Sequence, residues 1–304
     1  MTVASGSFAK FLWPGVETAY GVSYKEYPEE HTQIFETRNS SRAFEEAVGM
    51  QGFGLVPVKT EGAAISAEDT GQGFIDRFTH VTYGLMFKIT RELYEDGLAP
   101  TEAVKRAKAL AFSIRQTQET VAANILNRAF NSSYTYGDGK ELCADDLPYY
   151  SGGTWRNELS TSADLSEAAV EQACIDIATQ FKSDKGLTIA VRPKKLVCHP
   201  SEMFEAERLF KSTLQYDSAN NAVNAVKHSK AVPGGYVVNH YLTDEDAWFI
   251  ITDIPDGLIH YSRRAPEFGM DNEWDTENAR FKATFRASWG CADKRGVFGS
   301  PGAA

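Results

Sequence analysis

The chain has 304 residues, 42% hydrophobic, 24% charged and 12% aromatic, with a formal net charge of −10. That is enough apolar material for a real core, in one lobe or two, while no apolar run approaches membrane-spanning length and the acidic balance argues against a protein whose work is gripping nucleic acid. The four cysteines (Cys143, Cys174, Cys198, Cys291) form no Cys-x-x-Cys pair, and the N-terminus lacks the pattern of a secretory signal, so a reduced, cytosolic product is expected.

Residues 1 to about 47 scatter aromatics (Phe8, Phe11, Trp13, Tyr20, Tyr24, Tyr27, Phe35) among Pro14, Gly15, Gly21 and Pro28. The segment is too apolar for a disordered tail and too broken for a long helix, which predicts an extended arm anchored by its aromatics. A short helix over 41–48 is expected to close it. A glycine-punctuated strand over 49–58, a small polar tip from Glu61 to Gly73 and a return through residues 74–89 read as a long hairpin. Such a hairpin is marginal alone and needs a surface from elsewhere.

Beyond Pro100, apolar residues from Ala103 to Ala129 recur at steps of three and four, the pattern of one long amphipathic helix. At 1.5 Å per residue, roughly thirty residues span about 45 Å. Its other face, with Lys105, Arg106, Lys108, Arg115, Gln118, Glu119 and Arg128, reads as solvated. A loop over 134–161 leads to a second helix from Leu165 to Lys182, capped by Ser166 and ended by Gly186; its buried side runs from Leu165 to Phe181 and takes in Ala178. Strands are expected at 188–191, 195–198, 236–239, 247–252 and 258–262, with a helix over 201–210. The alternation of Phe281, Ala283, Phe285 and Ala287 marks a final strand with one wet face.

Chemistry is sparse. Six histidines include no His-Glu-x-x-His, there is no Gly-x-Ser-x-Gly elbow, and Gly137-Asp138-Gly139-Lys140 lacks Walker spacing. Three acidic clusters (Asp145-Asp146; Asp244-Glu245-Asp246; Asp271, Glu273 and Asp275) have the residue types of acid/base pairs or calcium ligands, but turns and surface account for them more simply. The basic pairs Lys194-Lys195, Arg263-Arg264 and Lys294-Arg295 read as solvated surface. No catalytic, cofactor or metal residue is assigned, and no enzyme is expected.

The order of arm, hairpin, long helix, mixed lobe and returning strand resembles the major capsid proteins of tailed bacteriophages, close to the Mu-like major head subunit group. The stretches that carry the resemblance are Tyr83 to Glu92 with Glu95-Asp96-Gly97, then Gly152-Gly153-Thr154, Asp184-Lys185-Gly186, Asp246 to Phe249 and Asp293 to Val297. The resemblance implies an α+β, HK97-like capsid fold: N-terminal arm (1–48), extended β-hairpin loop or E-loop (49–90), peripheral domain (91–186) with a spine helix at 100–130, axial domain (187–257) and strands returning to the peripheral domain (258–304).

It further implies pentamers and hexamers of an icosahedral shell around double-stranded DNA, contacted non-specifically, by way of a procapsid that expands on packaging. The implied partners are further copies of the chain, a scaffolding protein, a portal and a decoration protein, without a membrane. The implied location is the virion, after assembly in the host bacterial cytoplasm. With the hairpin starting near residue 49 there is no room for an N-terminal scaffold domain, so a separate scaffolding protein is expected. Lys59, the lone lysine between Lys25 and Lys88, lies near a strand rather than at the tip, and no covalent cross-link is expected. Inter-subunit contacts are expected from Phe11, Trp13, Tyr20, Phe53, Leu55, Val58, Ile65, Phe74 and Phe78. The alternatives are an encapsulin-like nanocompartment shell, a minor head or tail protein, and an acid/base or metal-dependent hydrolase built on the acidic clusters.

Overall fold

The computed structural model describes residues 8–97, 99–215, 222–273 and 275–303; the side chains of residues 8–11 lie outside the described part. The chain opens on a helix, α1 (Phe8–Glu26), where an extended arm was expected. Leu12, Val16 and Tyr20 fall every fourth residue and are all buried, so a helical stripe underlies the scattered aromatics. Pro14 sits inside the helix and forfeits a backbone bond, at about 3 kcal/mol. Burying three large side chains, at about 2 kcal/mol each, outweighs that loss.

A 3₁₀ turn at His31–Gln33 leads into β1 (Glu36–Asn39). β2 (Phe44–Met50) then replaces the short helix expected over 41–48. It pairs antiparallel with β3 (Gln72–Thr79), Phe44 opposite Thr79 and Val48 opposite Ile75. Cross-strand chemistry explains the strand: Arg77 reaches Glu46 at 2.6 Å and covers the Phe44 ring at 4.2 Å. The paired stalk is therefore 44–50 with 72–79, not 49–58 with 74–89. β4 (Val81–Ile89) leaves the hairpin and pairs with a distant strand of the main sheet instead.

After α2 (Arg91–Glu95), α3 (Ala99–Asn127) is the long helix that its period predicted, with Pro100 in its first turn. One expectation for it fails. Arg115, Gln118 and Glu119 are buried, because α1 and the turn at His31 cover the face expected to be wet. β5 (Leu147–Pro148) and β6 (Thr154–Trp155) form a small ribbon. α4 (Glu167–Gln180) starts at Ser166, whose side chain accepts from the Ala169 N–H. Asp176 is buried on it and Ala178 is exposed, the reverse of the expectation for Ala178. Gly186 lies in a later turn at φ +78°, since the helix has already ended. Residues 188–191 form no strand and contribute one bridge, Lys182 to Thr188.

The remaining elements are β7 (Pro193–Cys198), α5 (Met203–Lys211), α6 (Ala225–Ser229), β8 (Tyr236–Val238), β9 (Trp248–Thr252), β10 (Leu258–Asn272), β11 (Ala279–Cys291) and β12 (Val297–Ser300). Two four-stranded sheets result, ordered β1-β10-β11-β4 and β12-β9-β7-β8. One core joins α1, α3 and the first sheet through Leu110, Ile114, Phe281 and Phe285. The other joins α4, α5 and the second sheet through Val170, Ile177, Trp248 and Phe298. The two cores cut across the boundaries drawn at 186 and 258, since α4 and β12 both pack with the second sheet. Among the described residues no helix is long and apolar enough to cross a membrane.

Candidate functional site

Residues 51–71 leave the β2–β3 stalk as a long loop without regular pairing, turned at Gly62, whose φ of +80° suits glycine. Apolar side chains stand out along it: Leu55, Val58 and Ile65 are 83%, 93% and 82% exposed, and Phe53 and Val56 are exposed beside them. Five large apolar side chains thus stand in solvent along one unpaired loop.

Few bonds hold the loop. The Gln51 N–H donates to the Gly71 carbonyl at 2.9 Å. Glu68 accepts from the Gly54 N–H at 3.0 Å and pairs with Lys185 at 2.9 Å, and these bonds hold its carboxyl below the usual range. At the base, Phe74 meets Tyr150 edge-on at 5.9 Å, and Asp76 accepts from the Gly137 N–H at 2.7 Å. Burial pushes the Asp76 carboxyl upward despite that bond. Gly137 has no room for a side chain, because a Cβ there would stand 2.2 Å from the Ile75 carbonyl oxygen.

The platform behind the loop is locked by buried polar groups. The His31 main-chain N–H donates to Glu119 at 2.9 Å, and its Nδ1 lies 2.6 Å from the same carboxylate. Arg115 pairs with Glu29 at 2.7 Å and lies 4.0 Å over the Tyr24 ring, whose hydroxyl donates to Gln118 at 2.8 Å. Beneath them His260 stacks on Trp289 at 4.7 Å, and burial, with His31 nearby, pushes its pKa down to about 4. None of this was foreseen for Arg115, Gln118 and Glu119. A signal existed, since Gln118 sits four residues after Ile114 and four before Ala122, on the apolar stripe itself.

The structure separates the expected contact residues. Phe53, Leu55, Val58 and Ile65 are each exposed on the 51–71 loop, and Phe74 is half-buried at its base. Phe78 is buried against Tyr261 at 5.1 Å, and Tyr20 is buried against Phe268 at 4.6 Å, so neither keeps surface to offer a neighbour. Trp13 is half-buried and stacks on the same Phe268 ring. The Phe11 side chain lies outside the described residues.

The acidic clusters are occupied structurally. Asp146 pairs with Lys140, Asp244 accepts from the Asp246 N–H at 3.2 Å, and Glu273 bridges Lys88 and Arg280. Asp138, in the glycine-flanked stretch, is a half-buried partner of the buried Lys294, with its carboxylate oxygens 2.5 and 2.7 Å from Nζ. Among the described residues no three His, Cys, Asp or Glu groups gather as a metal site.

The family described as phage capsid protein matches residues 75–299. Three solved structures share the fold at low identity. The asymmetric unit of the bacteriophage PhiM1 mature capsid has a TM-score of 0.56 at 12% identity, covering 90% of this chain and 86% of that one. The capsid of an empty GTA particle has 0.55 at 12%, covering 90% of each. A virus-like particle from Pyrococcus furiosus has 0.52 at 9%, covering 95% and 98%. No curated protein matches the sequence.

Proposed function

The chain belongs to the phage capsid protein family, and from that premise we propose how its surfaces build a shell. It is a major capsid protein with the HK97-like α+β fold, a structural subunit that assembles with copies of itself into the virion shell. In our reading the copies form pentamers and hexamers of an icosahedral shell around double-stranded DNA, which they contact non-specifically. The expected route runs through a procapsid in the host cytoplasm, with a separate scaffolding protein, a portal and a decoration protein. In this reading α1 and the segment up to β2 serve as arm, the 44–79 stalk and loop as extended loop, α3 with the sheet of β1, β10, β11 and β4 as peripheral domain, and the sheet of β12, β9, β7 and β8 with α4 and α5 as axial domain. The stretches from Tyr83 to Gly97 and from Asp293 to Val297 are the basis for placing it nearest the Mu-like group.

The observation that carries this proposal is the exposed loop with Leu55, Val58 and Ile65. Its apolar surface stands on a two-stranded stalk and gains stability only when a neighbour covers it. Contact between two different surfaces of adjacent copies is heterologous, the type that closes rings. Many modest contacts then add into a robust shell. Negative-stain microscopy of the purified chain, with its elution volume, tests the proposal. Shells, or rings of five and six, are expected; a uniform monomer or dimer even with scaffold and crowding agent overturns it.

A second reading keeps the shell and changes its contents. Nanocompartment shells of this fold begin with a short helix that docks cargo, and α1 is a helix where an aromatic arm was expected. Purified shells that hold a co-purifying protein and no nucleic acid favour that reading.

A further inference from the structure

The β2–β3 stalk joins the body at two points: residues 40–43 lead in from β1, and His80 leads out into β4. One buried imidazole ties both. His80 Nε2 lies 3.0 Å from Ser40 Oγ, and its Nδ1 lies 2.9 Å from Ser288 Oγ on β11. Ser40 Oγ has a single proton, which goes to Glu45 at 2.7 Å, and it accepts from the Arg42 N–H at 3.1 Å. Toward the ring it can therefore only accept. That assigns the ring proton to Nε2 and leaves Nδ1 to accept from the Ser288 hydroxyl. Further bonds join the same two points to the main sheet. Arg286 Nε donates to the His80 carbonyl at 3.3 Å, the Ser40 N–H to the Ser262 carbonyl at 3.0 Å, and Arg263 Nε to the Arg42 carbonyl at 3.0 Å.

This arrangement suits a neutral ring. A second proton would sit on Nδ1 and face the buried Ser288 hydroxyl, which would have to turn its own proton elsewhere. The charged groups around the ring are Arg286 on β11, Arg263 on β10 and Glu45 on β2, the last with Arg42 beside it at 3.6 Å. Tyr261 on β10 borders the ring edge-on at 6.3 Å. Burial, with Arg286 and Arg263 set against the single Glu45 carboxylate, holds the His80 pKa below the ordinary histidine value. The stalk's other supports do not depend on the ring. Phe78 is buried against Tyr261, an apolar seat that fixes position but not direction. Further out, Asp76 makes one bond to Gly137, and the partly exposed Glu68–Lys185 pair is of a kind worth little in water.

We propose that His80 is a pH-sensitive pin at the root of the stalk: its neutral ring fixes the direction in which β2 and β3 leave the main sheet, and a proton on the ring frees them to pivot about Phe78. The pin is complete above the ordinary histidine value of 6.5 and is lost as the pH falls from there toward the lower folded value. The device lies within one chain and does not depend on assembly.

Dipolar EPR on the full, unassembled chain tests it. Spin labels go on Val48→Cys in the stalk and Lys105→Cys on α3, both exposed, in a Cys174→Ser background. With His80 as it stands, one narrow distance is expected at pH 7.5. Titration to pH 4.5 replaces that peak by a broad distribution, and the peak returns when the pH is raised. His80→Gln, whose amide can donate to Ser40 but cannot ionise, is expected to keep the narrow peak throughout. Ser288→Ala, which lacks the anchor for Nδ1, is expected to be broad already at pH 7.5. A distribution that does not change with pH while His80 is present overturns the pin, as does a His80→Gln chain that broadens in acid to the same extent. A narrow peak for Ser288→Ala at pH 7.5 also overturns it, so the test stands even if His80→Gln does not fold.

Discussion

Glu119 grips His31 twice, through the main-chain N–H at 2.9 Å and through Nδ1 at 2.6 Å, with both residues buried. The two are 88 positions apart, so this one carboxylate ties the segment after α1 to the middle of α3.

Removing that carboxylate leaves a buried N–H and an imidazole without their acceptor. Glu119→Ala is expected to destabilise the chain by about 3 kcal/mol, and Glu119→Gln by less, since the amide oxygen still accepts. Urea unfolding followed by tryptophan fluorescence measures it. A variant within about 0.5 kcal/mol of wild type would mean that the pair is idle.

His260 makes the same region sensitive to acid. Its folded pKa, about 4, lies below the ordinary histidine value of 6.5 because burial disfavours the cation. The neutral ring therefore stabilises the fold fully above pH 6.5, and that contribution is lost as pH falls from 6.5 toward 4. The difference corresponds to on the order of 3 kcal/mol. Denaturant midpoints at pH 7, 5.5 and 4.5 are expected to fall more steeply for wild type than for His260→Gln. Equal slopes would remove His260 as the cause.

Gly137 is a steric requirement of the stalk. Gly137→Ala forces its Cβ against the Ile75 carbonyl oxygen, 2.2 Å away, and displaces the bond from its N–H to Asp76. A loss of about 1–3 kcal/mol is expected, read as a lower melting temperature. An unchanged melting temperature would show that the 134–137 segment shifts freely.

Leu55 and Val58 contribute nothing to the isolated chain, being exposed on all sides. Leu55→Asp/Val58→Asp is expected to keep the melting temperature of the unassembled chain and to abolish rings and shells by size exclusion and microscopy. Assembly at wild-type level would show that this part of the loop is not the contact surface.

Lys185 latches the loop through Glu68. Lys185→Ala is expected to leave global stability alone and to speed proteolytic cleavage within 51–71, followed by mass spectrometry. The latch holds Glu68 below the ordinary carboxylate range, so wild-type cleavage stays slow into mild acid. Cleavage at equal rates in both chains would show that the ion pair does not restrain the loop.

Where a pattern was local and strong, it was readable from the residues alone. The three-and-four spacing from Ala103 to Ala129, the Ser166 cap and the alternation from Phe281 to Ala287 each specify one element by burying one face. The exposed loop residues Phe53, Leu55, Val58 and Ile65 were also legible, because apolar side chains between glycines and polar residues have no neighbours of their own to cover them.

Tertiary structure decided the rest, by supplying partners from far along the chain. α1 forms despite Pro14 because α3 and Phe268 bury Leu12, Val16 and Tyr20, a gain absent from any local window. β4 abandons the hairpin because β11 offers a ladder from Val81 to Ile89. Arg115, Gln118 and Glu119 turn inward because Tyr24, Glu29 and His31 satisfy them there. A helical period records how apolar a face is, but a charged residue is buried only where its counterpart waits. That counterpart is a property of the fold.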